Sequence, residues 1–289
     1  MTKGDVYHKT MLEEILRNGT LDENPRPKYA SDGAPAHTYS INHKMQQYDI
    51  GAGECPIETL RPIAWKSAVK EILWIYQKQS NKISDLHEMG IKYWDKWDIG
   101  DGTIGCRYGE TVRKHNMINE LLDGLKEDPF GRRHIVSLWQ KDDFSDETGG
   151  TTKGLNPCCY EFICNVHRGK DGKLYMDMLM NQRSSDYEVS CAINEIQYIA
   201  LMLMICHECN FMPGIFTHFI ENVQVYDRHV EQAKEIIRRS PVDGCSPRLV
   251  LNAGNKSFWD ITIDDFTLED YPSEKIAEKN PQLTFDLGV

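Results

Sequence analysis

The sequence has few of the features that mark membrane-embedded, secreted or duplex-binding proteins. Its longest apolar run, Tyr198 to Cys206, is far shorter than the roughly 18 residues that a membrane-spanning helix needs. The amino-terminal residues form no apolar signal region, so we expect a chain without a targeting segment. No block of basic residues occurs, and the formal charge is -11. We therefore expect neither a membrane nor a nucleic-acid substrate.

Signatures of bound metal and of disulfides are equally sparse. The nine cysteines are an odd number scattered along a long chain, which indicates reduced thiols and a cytoplasmic location. Cys206 and Cys209 have C-x-x-C spacing, but no second pair follows at zinc-finger distance. Because these two cysteines close an apolar run, we interpret them as core residues and predict no metal site.

Hydrophobic periodicity predicts a mixture of helices and antiparallel strands. Apolar residues recur at helical spacing from Trp65 to Tyr76, and Glu71 lies at the edge of that apolar face. The same criterion predicts helices over 115–125, 194–207 and 228–239, a hairpin of strands 160–166 and 174–180, and strands over 135–139 and 215–226. The helix predicted over 194–207 starts near Asn194 or Asp186. Since no repeat, linker or β-α-β alternation occurs, we predict a single α+β domain over 1–289.

Several side chains in this pattern could carry chemistry. Cys158 stands at the start of the first hairpin strand, where a nearby cation would lower its pKa and populate the nucleophilic thiolate. The alternative is an inert core cysteine. Arg183 and Ser184 lie between the hairpin and a buried helix, and a guanidinium beside a hydroxyl suits a phosphate. Arg132 and Arg133 offer two more guanidinia, unless they are simply solvated.

Four ordered motifs resemble those of the thymidylate synthase family. They are residues 128–134 (DPFGRRH), 157–158 (PC), 182–186 (QRSSD) with Asn194, and 225–229 (VYDRH). Upstream similarity at 32–38, 71–74, 93–97 and 107–109 extends the resemblance over nearly the whole chain. The resemblance implies a large mixed β-sheet packed by helices, with one sheet face forming a homodimer interface. It also implies a methyltransferase that converts dUMP to dTMP with 5,10-methylenetetrahydrofolate and no metal.

The resemblance also implies the catalytic roles. Cys158 would add to C6 of the uracil ring, and Arg183 would favour its thiolate while holding the phosphate. Glu71 would organise proton transfer, with a pKa raised by burial. Tyr108 would assist removal of the C5 proton through ordered water. Asn194 would read the pyrimidine edge, because an amide donates to O4 and accepts from N3–H of uracil.

Phosphate and ribose contacts follow from the same resemblance. Ser184 would bind the phosphate beside Arg183. Arg132 and Arg133 would reach across the dimer interface to the phosphate in the other subunit. An amino-terminal phosphate ligand is expected at Arg26, with Lys28 as the alternative. The ribose contacts would be made by Tyr226 and by Gln224, which stands where the family usually has a histidine.

The folate site is expected around an acidic residue and two tryptophans. Asp186 would hold the pterin ring, and Trp94 and Trp97 would form an aromatic wall beside it, although Trp97 could equally be a core residue. The carboxyl-terminal tail, ending at Val289, would close over bound ligands and exclude water.

Two other functions fit parts of the pattern. A dUMP hydroxymethylase would use the same covalent intermediate and let water trap the methylene group. A non-catalytic nucleotide- or RNA-binding protein would retain the fold alone, which the acidic balance and the presence of Cys158, Glu71 and Asn194 disfavour. Cys159 replaces a frequent histidine and residues 190–193 lack the usual Gly and Pro, so the base pocket could have a different shape.

Overall fold

The computed structural model describes residues 1–144 and 153–288. Its helices are α1 (Lys3–Asn18), α2 (Trp65–Tyr76), α3 (Ile83–Glu88), α4 (Gly109–Lys114), α5 (Met117–Glu127), α6 (Tyr187–Cys209), α7 (Val230–Arg238) and α8 (Ser273–Lys279). Its strands are β1 (Thr20–Leu21), β2 (Thr38–Asp49), β3 (Ile135–Ser137), β4 (Cys159–Arg168), β5 (Leu174–Gln182), β6 (Ser185–Asp186), β7 (Met212–Tyr226), β8 (Arg248–Leu251) and β9 (Phe266–Glu269).

One large mixed sheet organises these elements. Its strand order is β1-β2-β7-β5-β4-β3, and β6 pairs with β7 beside this path. β5 and β6 run parallel to β7, whereas the other pairings are antiparallel. The α+β class and the mixed sheet expected from the sequence are confirmed. β5 and β7 end beside each other, so the residues that follow them are brought to one end of the sheet.

The core lies between this sheet and α6. Met176, Met178 and Met180 alternate along β5 and are almost completely buried against the helices, as the period of two predicts. α6 is apolar and long enough to cross a membrane by length and composition alone, but 72% of its most apolar stretch is buried in the fold. It is therefore the central helix of the core, which explains why apolar residues occur all round it.

The predicted elements agree with the structure, with differences at their ends. α2 spans the predicted residues, and α6 begins after Asp186, the second of the two starts considered. α5 begins at Met117 because Asn116 has a left-handed backbone with φ of 49°. β3 ends at Ser137, and α7 starts only at Val230 because a 3-10 turn precedes it.

Two long elements had no prediction. α1 begins with a capping box, in which Thr2 accepts from Asp5 N–H and Asp5 accepts from Thr2 N–H. β2 was missed because its exposed and buried residues do not alternate regularly. It pairs with β7 along nearly its whole length, so the sheet contact overrides a weak local pattern.

Candidate active site

The candidate nucleophile lies directly before β4 and beside a guanidinium. Arg183 Nη2 is 3.6 Å from Cys158 Sγ, and the backbone N–H of Arg183 donates to the Cys158 carbonyl at 2.9 Å. The same guanidinium donates to the carbonyls of Asn156 and Pro157, both at 2.9 Å. Arg183 therefore holds the loop that carries the thiol and also places positive charge next to the sulfur.

The charge does not by itself produce a thiolate. Burial raises the pKa of the Cys158 thiol above its usual value, and Arg183 and Arg26 lower it only in part. The net shift is opposite to the one expected from the sequence, because the loss of hydration outweighs the two cations. In the unliganded chain Cys158 is accordingly held as a protonated thiol near neutral pH.

The predicted pyrimidine reader lies inside α6 and is held by two other amides. Asn194 Oδ1 accepts from Gln182 Nε2 at 3.2 Å, and Asn194 Nδ2 donates to Gln197 Oε1 at 3.1 Å. Gln182 comes from the end of β5, and Gln197 lies one turn further along α6. The neighbouring amides therefore determine which end of the Asn194 side chain presents oxygen and which presents nitrogen.

Glu71 lies on α2 with its carboxyl group in a nearly closed space. Tyr93 O–H donates to Glu71 Oε2, and only 7% of the residue is exposed. Burial raises the pKa of this carboxyl group, while Tyr93, Trp94 and Gln197 oppose the shift. The direction agrees with the sequence prediction. A raised pKa makes a carboxyl group easier to protonate, which suits a group that takes up and releases a proton during catalysis.

Aromatic side chains link Glu71 to the nucleophile. Tyr108 O–H accepts from the backbone N–H of Cys158 at 3.3 Å, and burial raises the pKa of its phenol. The Trp94 ring lies 5.2 Å from that of Tyr108 and 5.3 Å from that of Trp97. Tyr108 has a positive φ of 48°, a conformation that non-glycine residues rarely adopt. Trp94 is buried and Trp97 half-buried.

Two acidic groups stand together where β6 meets α6. Asp186 occupies the position before the first residue of α6 without a capping hydrogen bond from its side chain, and burial raises the pKa of its carboxyl group to about 7. Its Oδ1 atom is buried and without a hydrogen-bond partner among the described residues. Glu188 is also buried, and neither of its carboxyl oxygens has a hydrogen-bond partner in the described part of the chain. Burial and, to a smaller extent, the charge of Asp186 raise the pKa of Glu188 to about 9. The sequence analysis did not single out Glu188.

The predicted ribose residues lie at the end of β7. Gln224 pairs with Asp186 across the sheet and with Ser40 on the other side, and Tyr226 is the last residue of the strand. The tail reaches this region, because Ala30 N–H donates to the Leu287 carbonyl at 2.9 Å. Gly288 forms an isolated bridge with Tyr29, whose ring centroid is 6.0 Å from that of Tyr226. Val289 lies outside the described residues.

The predicted phosphate ligands divide into two groups. Arg26 is close enough to lower the pKa of both Cys158 and Tyr226. Ser184 follows Arg183 directly, and its backbone carbonyl accepts from Gln182 Nε2 at 2.9 Å. A separate group consists of the two exposed residues Arg132 and Arg133, in the segment before β3. The single chain does not bring this pair to the thiol.

Buried polar residues missed by the sequence analysis lie behind the site. His218 Nδ1 is 3.1 Å from Glu195 Oε1, and Cys191 Sγ is 3.8 Å from Gln46 Oε1. Cys191, Glu195 and His218 have ligand atoms within 4.8 Å of one another, the residue types of a metal site. Each of the three already has a hydrogen-bond partner in the protein. The i, i+4 spacing of Cys191 and Glu195 on a helix was the available sequence signal.

Comparison with known proteins gives a consistent result. A family model described as thymidylate synthase matches residues 6–281. A thymidylate synthase of Lactococcus lactis subsp. lactis strain IL1403 is 45% identical over 291 residues, covering 100% of each chain. One from Streptococcus pneumoniae strain 70585 is 45% identical over 292 residues, again with 100% coverage of each. The solved structure of thermostable thymidylate synthase A from Bacillus subtilis superposes with a TM-score of 0.85 at 34% identity and covers 99% of both chains.

Proposed function

The chain belongs to the thymidylate synthase family, and on that premise we propose that it methylates dUMP reductively to dTMP. The donor of both carbon and hydride is 5,10-methylenetetrahydrofolate, which leaves as dihydrofolate. Residues 1–289 act as one catalytic domain of a methyltransferase. The observation that carries the proposal is the meeting of Cys158 and Arg183 at 3.6 Å beside a fixed amide reader, Asn194.

The nucleophile acts after a change in protonation. Burial keeps the Cys158 thiol protonated in the free chain, with Arg183 and Arg26 opposing that effect. The thiol gives its proton to water, and the Arg183 guanidinium beside the sulfur stabilises the resulting thiolate. The thiolate then adds to C6 of uracil, and C5 becomes the carbon that attacks the methylene group.

Glu71 and Tyr108 handle protons on the two sides of the base. Glu71 has a raised pKa and accepts from Tyr93, so it can pass a proton towards the ring position that gains negative charge. Tyr108 has its hydroxyl group at the backbone N–H of Cys158. It would therefore lie next to C5 and C6 of the bound uracil ring, where it can order the water that removes the C5 proton.

The residues present fit a reduced folate. Asp186 Oδ1 is buried without a hydrogen-bond partner among the described residues, as expected for a group that a polar heterocycle completes. The folate supplies a one-carbon unit and a hydride when bound. Asp186 would accept from the pterin ring, Trp94 and Trp97 would cover its face, and the Leu287–Gly288 tail would exclude water.

A homodimer would complete the phosphate site. Ile163, Leu179 and Phe219 are half-exposed on the sheet face opposite the core, which leaves apolar surface for a second copy. Arg132 and Arg133 are exposed just before β3, an edge strand of the same sheet. We propose that each subunit donates this pair to its partner's phosphate, beside Arg183, Ser184 and Arg26. Gln224 and Tyr226 would hold the ribose.

The test is a spectrophotometric assay with dUMP and 5,10-methylenetetrahydrofolate, run in parallel with dCMP. Formation of dihydrofolate and dTMP with dUMP alone is the expected result. Hydroxymethyl-dUMP without dihydrofolate would replace the synthase with a hydroxymethylase. The nine free thiols suit a reducing compartment, and we propose the cytoplasm.

A further inference from the structure

A buried chain of hydrogen bonds extends from Asn194 to an acid–base pair behind the site. Gln182 Nε2 donates to Asn194 Oδ1 at 3.2 Å, and Gln182 Oε1 is 2.8 Å from His218 Nε2. The other ring nitrogen of His218 is 3.1 Å from Glu195 Oε1. Glu195 is 2% exposed and His218 is 0% exposed, so water does not compete for these contacts.

Two neighbouring groups determine which atoms donate and which accept in this series of hydrogen bonds. Tyr48 O–H donates to Glu195 Oε2 at 3.2 Å, so that oxygen acts as an acceptor. Gln182 Nε2 also donates to the backbone carbonyl of Ser184 at 2.9 Å, and a carbonyl can only accept. The Gln182 amide is therefore oriented from both of its ends, by Ser184 and by His218.

The Glu195–His218 pair must share one additional proton if His218 Nε2–H is to donate to Gln182 Oε1. If Glu195 holds the proton, its O–H donates to Nδ1 and His218 carries its remaining hydrogen on Nε2. If His218 holds it, both ring nitrogens carry hydrogen. In either arrangement His218 Nε2–H donates to Gln182 Oε1. Burial raises the pKa of the Glu195 carboxyl group, with His218 opposing, which favours retention of the shared proton.

The order of donors and acceptors in these hydrogen bonds sets the orientation of the Asn194 amide and therefore the base that it can recognise. Asn194 uses one lone pair of Oδ1 for Gln182 and one N–H for Gln197. The remaining lone pair and N–H suit N3–H and O4 of uracil. An amide turned by 180° would exchange oxygen and nitrogen and would match N3 and the exocyclic amine of cytosine instead.

We propose that Glu195 and His218 are positioning residues that hold Asn194 in its uracil-reading orientation and thereby help to select dUMP over dCMP. In this proposal the pair acts through Gln182, which lies between His218 and Asn194. The inference rests on the proposed function, because it assumes that Asn194 reads a pyrimidine.

The test compares nucleotide affinities of His218→Phe with those of the wild-type protein. Phenylalanine fills the ring space but removes the donor to Gln182, so the dUMP affinity should fall and the ratio of dCMP to dUMP dissociation constants should drop about 10-fold. Calorimetric titration of each nucleotide gives both constants. If His218→Phe does not fold, the double variant Glu195→Leu/His218→Phe removes both buried polar groups and carries the same prediction.

Glu195→Gln is the matched control. Its carbonyl accepts from Tyr48 O–H, its amide donates to His218 Nδ1, and His218 still donates from Nε2, so the ratio should stay within about 2-fold of wild type. An equal loss of affinity for both nucleotides in folded His218→Phe would show a merely structural role and overturn the inference alone. Wild-type protein without a dUMP preference would overturn the proposed function and the inference with it.

Discussion

The two ends of the candidate active site differ in how complete they are within one chain. At the base end, Asn194 is held by Gln182 and Gln197, and the supporting hydrogen bonds continue into the core. At the phosphate end, Arg26 is exposed, and Arg132 and Arg133 lie apart from the thiol. In the proposed function, base recognition would therefore be built in advance, whereas phosphate recognition would depend on the second subunit of the proposed homodimer.

The difference follows from the chemistry of the two groups. A neutral pyrimidine edge is recognised by amides, which can be buried at low cost when all their hydrogen bonds are made. A phosphate needs several guanidinia, and clustering them without the anion would leave uncompensated like charges in a desolvated site. Arginines on exposed segments and on the proposed partner subunit would avoid that repulsion until the phosphate binds.

The largest effect is expected at the thiol between the two ends. Cys158→Ser should lower turnover by about 1,000-fold or more, because a hydroxyl with an ordinary pKa is a poor nucleophile here. Dihydrofolate release measures turnover. Binding of dUMP should change little, since Asn194 and the arginines remain. Undiminished turnover would show that another residue is the nucleophile.

A smaller effect is expected from the arginine pair, and it should appear only with the phosphate present. Arg132→Ala/Arg133→Ala should reduce kcat/KM for dUMP by about 100-fold through the loss of charge-assisted hydrogen bonds. Arg238→Ala, an exposed arginine on α7, is the control. If the pair acts on the phosphate, the affinity for the uncharged nucleoside deoxyuridine should stay constant. A proportional loss for deoxyuridine would mean that the pair also shapes the base end.

The raised pKa values of Asp186 and Glu188 should make the stability of the folded protein depend on pH. The Asp186 pKa of about 7 lies above its ordinary value of 3.8, so the folded state binds the proton more tightly than the unfolded state. Stability is then lost as pH rises from about 4 to about 7. Asp186→Asn removes this loss and should be more stable than wild type above pH 7, by a few kcal/mol at most.

Urea unfolding at a series of pH values checks this. The advantage of Asp186→Asn should stop growing near pH 7, whereas that of Glu188→Gln should grow up to about pH 9, following the pKa of Glu188. The Asp186 variant should nevertheless bind folate more weakly. A stability difference that does not vary with pH would contradict the assignment of a raised pKa to these carboxyl groups.

The smallest effect is expected at the tail. Arg228 pairs with Asp286 and with Asp32, both at 2.9 Å, and links the tail to the segment around Tyr29. Asp286→Asn should lower kcat by about 2- to 5-fold, since exposed ion pairs contribute little individually. Glu231→Gln, which removes an exposed pair with Lys234, is the control. Greater side formation of hydroxymethyl-dUMP in Asp286→Asn would show that the tail excludes water.

The sequence predicts the parts of the molecule where local pattern and structure agree. α2, the β4–β5 hairpin and the methionine stripe follow simple periods, and Cys158 lies at the predicted strand start. β2 was missed because its pairing with β7 compensates for a weak local pattern. The Cys158 pKa was mispredicted because burial depends on the tertiary structure, which the residues around Cys158 in the sequence do not reveal.

The buried residues behind the site show the same limit more clearly. Gln182 belongs to a recognised motif, but its partner His218 lies on β7 and Glu195 lies on α6. Only the parallel contact of β5 with β7, with α6 packed above it, brings these three together. A polar residue in an apolar strand or helix is the only sequence signal for such a network.

Subunit complementation tests the contrast between the two ends most directly. At dUMP concentrations below KM, the Cys158→Ser and Arg132→Ala/Arg133→Ala proteins should each keep about 1% or less of wild-type activity, and a mixed dimer would combine an intact Cys158 with the arginine pair of the other chain. Equal mixing should restore about one quarter of wild-type dihydrofolate production, because half the dimers are mixed and each has one intact site. No recovered activity, with mixed dimers demonstrated by native mass spectrometry, would contradict a phosphate site built from two chains.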